Sequence, residues 1–325
     1  MKIFVTGGAG FIGSNFIRHV LGLQTGYEIV TYDKLTYAGN LANLESVAND
    51  PAYRFIKGDI CEAAAVESGM TGCDFVVHFA AESHVDRSIR EPAPAVQTNV
   101  MGTFTLLQAA RKLEIKRFLH ISTDEVYGDM ETGAFADESS ALRPSSPYSA
   151  SKAGADLLVC SYVRTFNFPA LITRTSNNYG PNQLPEKFLP LMITNALEEK
   201  TLPIYGDGKQ ERTWLHVEDH CKGLVAVLER GRIGEVYNIG GLDAVDNLTM
   251  ARRILEATGK PESLISHVKD RPGHDRRYAV TSNKMDRELG WKAVIRLEVG
   301  LRETIDWYRG NTKWLAGVRA RDPVS

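Results

Sequence analysis

Tyr148 and Lys152 stand four residues apart in the run Pro147-Tyr148-Ser149-Ala150-Ser151-Lys152. On a helix that spacing puts both side chains on one face, about 6 Å apart along the axis. Ser146 suits the cap of such a helix and Pro147 its first position, which leaves Tyr148 near the positive end of the helix dipole. A free phenol titrates near 10, so acting as a base near pH 7 needs roughly 4 kcal/mol of phenolate stabilisation. A lysine charge about 5 Å away supplies about 3 kcal/mol at an effective dielectric of 20. Alone, such a pair is commonly a solvated helix face. Beside a redox cofactor it becomes a proton-transfer site.

A second candidate group is Ser122-Thr123-Asp124-Glu125-Val126-Tyr127-Gly128, which follows an apolar run. Two adjacent carboxyls whose surroundings split their pKa values make an acid and a base. A simple dehydrogenase needs neither. Taken alone, Asp124 and Glu125 fit a capped, solvated turn equally well. The third group is Gly7-Gly8-Ala9-Gly10-Phe11-Ile12-Gly13. It fits Gly-x-Gly-x-x-Gly through Gly8, Gly10 and Gly13, and Gly-x-x-Gly-x-x-Gly through Gly7, Gly10 and Gly13. With a strand before it and a helix after it, this loop lets backbone approach a dinucleotide pyrophosphate at the helix N-terminus. Asp33 lies 20 residues past Gly13. A carboxylate there accepts from ribose hydroxyls and repels a 2′-phosphate, which favours NAD over NADP, with Lys34 beside it as the one contrary charge. The positive ring of such a cofactor, with the helix dipole, would complete the stabilisation that Tyr148 needs. Asp59 is a candidate for the adenine edge. Ala80 and Ala81 leave room for a cofactor or simply pack.

The elements that must position these residues are legible in outline. Lys2–Thr6, Glu28–Tyr32, Arg54–Lys57, Phe75–Phe79, Arg117–Ser122, Ala170–Thr175 and Glu235–Ile239 read as strands covered on both faces. Helical patterns cover Phe11–Leu23, Glu62–Met70, Val96–Leu113, Pro147–Thr165 and Val217–Glu229. This alternation predicts an α/β fold: a doubly wound parallel sheet of the Rossmann type with about seven strands. After Arg174 the rhythm changes. Helices are expected at Leu189–Glu199, Thr249–Thr258, Ser282–Leu289 and Leu297–Tyr308, with Gly259 and Gly290 as C-terminal caps. The expected plan is an NAD-binding domain over 1–176, rejoined by 214–245. A smaller, mostly C-terminal α+β lobe takes 177–213 and 246–325.

Composition narrows the class. The 325 residues carry a net charge of −2, with 43% apolar and 24% charged residues. That excludes a largely disordered, collagen-like or coiled-coil chain. No basic excess predicts a nucleic-acid partner, and no apolar run reaches the roughly 18 residues that would span a membrane. Cys61, Cys73, Cys160 and Cys221 are widely spaced. They suggest neither a metal site nor a disulfide framework, and read as free thiols of a cytoplasmic protein.

At these motifs the chain resembles the extended short-chain dehydrogenase/reductase superfamily and, within it, the dTDP-glucose 4,6-dehydratases. The resemblance runs essentially end to end. It includes the Thr6–Gly13 loop, His78-Phe79-Ala80-Ala81-Glu82-Ser83-His84-Val85-Asp86, the Ser122–Gly128 run and Tyr148–Lys152. It continues through Ser176-Asn177-Asn178-Tyr179-Gly180-Pro181 and Arg271-Pro272-Gly273-His274-Asp275. The Thr-Asp-Glu triplet separates a dehydratase from a 4-epimerase, which lacks the carboxyl pair. The stretch from Asp129 to Ser146 is shorter than in some members.

The resemblance implies oxidation of the sugar at C4 by NAD, loss of water across C5–C6 and hydride return to C6. The product would be dTDP-4-keto-6-deoxyglucose, for deoxysugar biosynthesis. It implies Tyr148 as the base at the 4-hydroxyl, Glu125 as the base at C5 and Asp124, protonated, as the acid for the 6-hydroxyl. Burial next to Glu125 should raise the Asp124 pKa. Lys152 would lower the Tyr148 pKa and hold the cofactor ribose, and Thr123 would bond the sugar near O4. By the same likeness Gly7, Gly10, Phe11, Ile12, Gly13, Asp33, Lys34, Asp59, Ile60, Ala80, Ala81, Thr98 and Asn178 are cofactor contacts. Ser83, Asn177, Lys187, Phe188, Pro203, Tyr205, Arg212, Asn247, Arg271, His274 and Tyr278 are contacts for dTDP-glucose. It also implies a homodimer through helices 96–113 and 147–165.

Overall fold

The computed structural model describes residues 1–321. The last four residues of the expected C-terminal lobe lie outside them.

Seven strands build one large sheet: β1 (Lys2–Thr6), β2 (Glu28–Asp33), β3 (Tyr53–Lys57), β4 (Phe75–His78), β5 (Arg117–Thr123), β6 (Ala170–Thr175) and β7 (Val236–Ile239). Every pairing is parallel and the spatial order is 3-2-1-4-5-6-7. Successive side chains of β1 alternate between two cores. Ile3 and Val5 join Phe16, Ile17 and Val20 of the Phe11–Gly22 helix and Leu224 and Val227 of the Val217–Arg230 helix. Phe4 joins Leu106 and Leu107 of the Thr103–Lys112 helix and Val159 and Tyr162 of the Pro147–Phe166 helix. Burial on both faces explains why the strands read as apolar runs without alternation. The chain reverses direction of travel between β1 and β4, and there the carboxyl ends of the strands open a crevice.

A four-stranded sheet forms from Asn177–Tyr179, Glu211–His216, Asp243–Asp246 and Arg277–Tyr278. Leu202–Tyr205 pairs with Ile265–Val268. These pack with the helices Phe188–Leu197, Asn247–Thr258 and Leu297–Gly310 around a third core, which includes Met192, Ile193, Trp214, Ile254 and Ile305. The segment that joins the large sheet is narrower than the 214–245 expected from sequence. Trp214 pairs with Asp243, and Arg212 with Val245, inside the small sheet. Four-residue strands carry too little periodicity to reveal such pairing.

Gly259 and Gly290 do cap their helices, at φ of 68° and 64°. The expected single helix over 96–113 is divided. Val96–Gly102 is π-helical and Thr103–Lys112 is α-helical. The wider turn lets the Asn99 side chain accept from the Glu82 N–H and donate to the Glu82 carbonyl and the Ser151 hydroxyl. It thereby ties the loop after β4 to the Pro147–Phe166 helix. π segments of this kind recur at functional sites.

Candidate active site

The crevice is a cleft that opens to solvent. The Thr6–Gly13 loop forms its floor. Gly7 has a φ of +69°, and a Cβ there would lie 2.6 Å from the Ala80 backbone nitrogen. A Cβ on Gly13 would lie 2.4 Å from the Gly7 carbonyl oxygen. Side chains at either position would force β1 and β4 apart or open the turn. The Phe11–Gly22 helix begins at Gly10 with no side-chain cap. Its first-turn N–H groups, at residues that line the cleft, are therefore left for a ligand. Asp33 is buried at the end of β2. Its two oxygens accept from the Ala9 and Leu35 N–H groups, so the carboxylate also holds the glycine loop in shape. At the rim, Lys34 pairs with Asp59 at 2.7 Å. An uncapped helix N-terminus, a close glycine turn and a carboxylate at the end of β2 fit an NAD molecule.

The Pro147–Phe166 helix carries the Tyr–Lys pair. Ser146 accepts from the Ser149 N–H, and the Ser149 hydroxyl accepts from the Ser146 N–H, a reciprocal capping box followed by Pro147. Lys152 is buried and donates to the Ile121 carbonyl of β5 at 2.7 Å. Burial lowers its pKa to about 8, opposed by the Asp156 charge. Tyr148 is buried too. Burial and the nearby charges of Glu125 and Asp124 push its pKa well up, against a hydrogen bond with Thr123. Lys152 sits one helical turn beyond Tyr148, its ammonium fixed on a β5 carbonyl.

That pair sits on a single 3-10 turn, Asp124–Tyr127, immediately after β5. The Thr123 hydroxyl caps it by accepting from the Glu125 N–H at 3.2 Å. Burial and Glu125 raise the Asp124 pKa to about 8, opposed by Arg212. Burial also raises Glu125, but Arg271, Arg212 and Lys187 together oppose it. Both carboxyls are thus shifted upward, and three cations act against that shift at Glu125. Asp124 Oδ2 and Glu125 Oε2 are both buried without a protein partner. All five residues expected to do chemistry line the same cleft: Thr123, Asp124, Glu125, Tyr148 and Lys152.

The family model described as GDP-mannose 4,6 dehydratase matches residues 4–304. A dTDP-glucose 4,6-dehydratase of Actinoplanes is 49% identical over 319 residues, covering 97% of this chain and 99% of that one. The low-salt glycan biosynthesis protein Agl12 of Haloferax volcanii is 51% identical over 311 residues, covering 96% of this chain and 99% of that one. The crystal structure of DesIV, a dTDP-glucose 4,6-dehydratase from Streptomyces venezuelae with NAD and TYD bound, superposes with a TM-score of 0.96. It is 48% identical and covers 98% of this chain and 100% of that one. The chain belongs to the dTDP-glucose 4,6-dehydratase family.

In this dehydratase fold every residue expected to contact NAD lines the cleft. Besides the loop and the Tyr–Lys pair, these are Asp33, Lys34, Asp59, Ile60, Ala80, Ala81, Thr98 and Asn178. Of the expected sugar-nucleotide contacts, Ser83, Thr123, Asn177 and Lys187 line it, and the other eight are not among its lining residues. Lys187 donates to the Ser83 carbonyl at 2.6 Å. Arg212 lies 4.1 Å over the Tyr278 ring and donates to the Asp275 carbonyl. Arg271 donates to Asp86 at 3.2 Å, and its Nε is buried without a partner. His274 pairs with Asp270 and meets the edge of Tyr205. Phe188 packs on Trp214. Pro203 lies in the Leu202–Tyr205 strand, and Asn247 opens the Asn247–Thr258 helix.

Sequence reasoning missed Asp86, which meets Arg271 and Tyr205. It also missed Asn99 and the buried Tyr127, Asp156 and Arg174 beneath the acid–base turn. Asp156 alone left a signal, one helical turn beyond Lys152. Among the described residues no cluster of His, Cys, Asp or Glu could hold a metal ion, and no helix is long and apolar enough to cross a membrane.

Proposed function

We propose that this chain converts dTDP-glucose to dTDP-4-keto-6-deoxyglucose. The observation that carries this reading is the adjacent carboxyl pair, Asp124 and Glu125, which lines one cleft with Tyr148 and Lys152. A dehydrogenase or epimerase has no use for an acid–base pair beside its phenol.

The Thr6–Gly13 loop, Asp33 and Lys152 would hold NAD, which when bound supplies the hydride acceptor and donor and a positive ring charge near Tyr148. Tyr148 takes the proton of the sugar 4-hydroxyl, with the Thr123 hydroxyl bonding between phenol and O4. The resulting C4 ketone acidifies the C5–H bond. Glu125, kept ionisable by Arg271, Arg212 and Lys187, removes that proton. Asp124 gives its proton to O6, so the 6-hydroxyl leaves as water and a C5–C6 double bond forms. The hydride taken from C4 would return to C6 from the bound cofactor, while Glu125 gives the proton back to C5, so the double bond is saturated. Asp124 thus serves as the acid at O6, and Glu125 as the base and then the acid at C5.

The lobe built on the small sheet would bind the nucleotide and diphosphate. Arg212 and Arg271 offer planar forks suited to diphosphate oxygens. We further propose a homodimer through the helices at 96–113 and 147–165. Val96, Met101, Leu157 and Phe166 are exposed there, and a second copy would cover them. Four free cysteines fit a reducing cytoplasm.

The deciding experiment incubates purified protein with NAD and dTDP-glucose in deuterated water, followed by mass spectrometry of the nucleotide sugar. Loss of one water with one deuterium at C5 is expected. An unchanged sugar refutes the reading.

A further inference from the structure

Directly beneath the reacting groups lies a set of buried polar residues that move no proton in the reaction. Asp156 follows Lys152 by one helical turn and is fully buried. Its Oδ2 accepts from Arg174 Nε at 2.8 Å, and its Oδ1 lies 3.4 Å from His120 Nε2. Burial lowers the His120 pKa to about 4, so that imidazole is neutral. Arg174 sits on β6 opposite Ser122 of β5. Its Nη1 donates to the Tyr127 hydroxyl at 2.9 Å, and that hydroxyl donates to Asn238 Oδ1 at 2.8 Å. Asn238 lies on β7 and is itself held by the Ala136 carbonyl and by Glu138. Tyr127 is the last residue of the turn that carries Asp124 and Glu125.

We infer that Arg174, clamped by Asp156, is a positioning residue that ties the acid–base turn through the Tyr127 hydroxyl to the helix bearing Tyr148 and Lys152.

A buried ion pair is a poor source of stability, because desolvation offsets its Coulombic gain. What it supplies here is direction. A guanidinium is a rigid fork, and this one spends one nitrogen on the Pro147–Phe166 helix and another on the turn. The turn needs such an anchor, since it is only four residues long. Its other ties include the Gly128 N–H to the Glu125 carbonyl and the Arg143 N–H to the Val126 carbonyl. Tyr148 and Lys152 are held separately, by the capping box and the Ile121 carbonyl. Loosening the brace therefore shifts Asp124 and Glu125 relative to a Tyr–Lys pair that stays in place. Water loss should suffer while oxidation at C4 proceeds.

This inference rests on the dehydratase reading, so its test has one arm that needs no turnover. Tyr127→Phe keeps the ring under Arg174 and removes the hydroxyl. Arg174→Lys keeps charge for Asp156 but cannot fork. In the full-length protein, amide hydrogen exchange over residues 122–130 should quicken about tenfold in both variants, the loss of one charged hydrogen bond. With NAD and dTDP-glucose, rapid-quench mass spectrometry should find C4-oxidised, still hydrated sugar accumulating. Elimination should slow about tenfold, while C4 oxidation stays within twofold of the parent. The double variant should be no worse than either single one. Unchanged exchange, or equal slowing of both steps, overturns the inference. If the parent protein leaves dTDP-glucose untouched, the functional reading fails, and the exchange arm alone decides the inference.

Discussion

Replacing Asp124 by Asn should slow catalysis and stabilise the fold together. Asp124 is buried and titrates at about 8. An ordinary aspartate, near 3.9, would be about one part in a thousand protonated at pH 7, whereas a group titrating at about 8 is about nine-tenths protonated. The folded protein therefore binds more protons than the unfolded chain between pH 3.9 and 8, and stability falls as pH rises through that window. Over the roughly three pH units up to neutrality this amounts to about 4 kcal/mol, at about 1.36 kcal/mol per unit. Asparagine fills nearly the same volume and has no proton to release. Asp124→Asn should thus match the parent in stability near pH 4 and exceed it progressively up to pH 8, as read by denaturant melts across pH. The same change removes the general acid, so elimination should slow by about 10²–10⁴-fold while C4 oxidation survives. In the parent, elimination should decline as pH rises through about 8. Following that step separates it from Lys152, which burial lowers to about 8 but which serves C4 oxidation. The two carboxyls titrate as a coupled pair, so the profile belongs to both. A variant that is no more stable than the parent at pH 7, or that turns over normally, refutes the reasoning.

Tyr148→Phe should slow C4 oxidation by about 10²–10⁴-fold, so that quenched samples contain neither keto sugar. Gly7→Ala places a Cβ 2.6 Å from the Ala80 nitrogen at a φ of +69°. It should cost about 1–3 kcal/mol and strip NAD from the protein on dialysis, read by melting and by nucleotide content. Leu157 is 61% exposed on the Pro147–Phe166 helix. Leu157→Glu should halve the mass seen by light scattering while a parent dimer persists; a monomeric parent refutes the dimer.

The site was most legible where its chemistry is local. Tyr148 and Lys152 share a helix face because of helical geometry alone, and the capping residues before them specify where that helix starts. The Gly7–Gly13 motif is legible for the same reason, since its function depends on which side chains are absent within seven consecutive positions. The upward shift of the Asp124 pKa follows in direction from burial and from adjacency to Glu125. The cations that oppose the upward shifts of the pair, Arg212, Arg271 and Lys187, come from remote parts of the chain.

Residue types and short-range spacing determined the sheet, its helices and the cofactor loop and offered Tyr148, Lys152, Asp124 and Glu125 as candidates, whose roles came from the family resemblance. Tertiary structure alone decided how they are held. Strand order brings β6 beside β5, and so places Arg174 between Asp156 and Tyr127. The pairing of short strands, such as Arg212 with Val245, carries the lobe's cations toward the carboxyl pair. The π turn at Val96–Gly102 aims Asn99 at both Glu82 and Ser151. Periodicity reports which face of an element is buried, but not which distant element covers it. Buried polar contacts depend on that second choice, because each must find its partner across the fold.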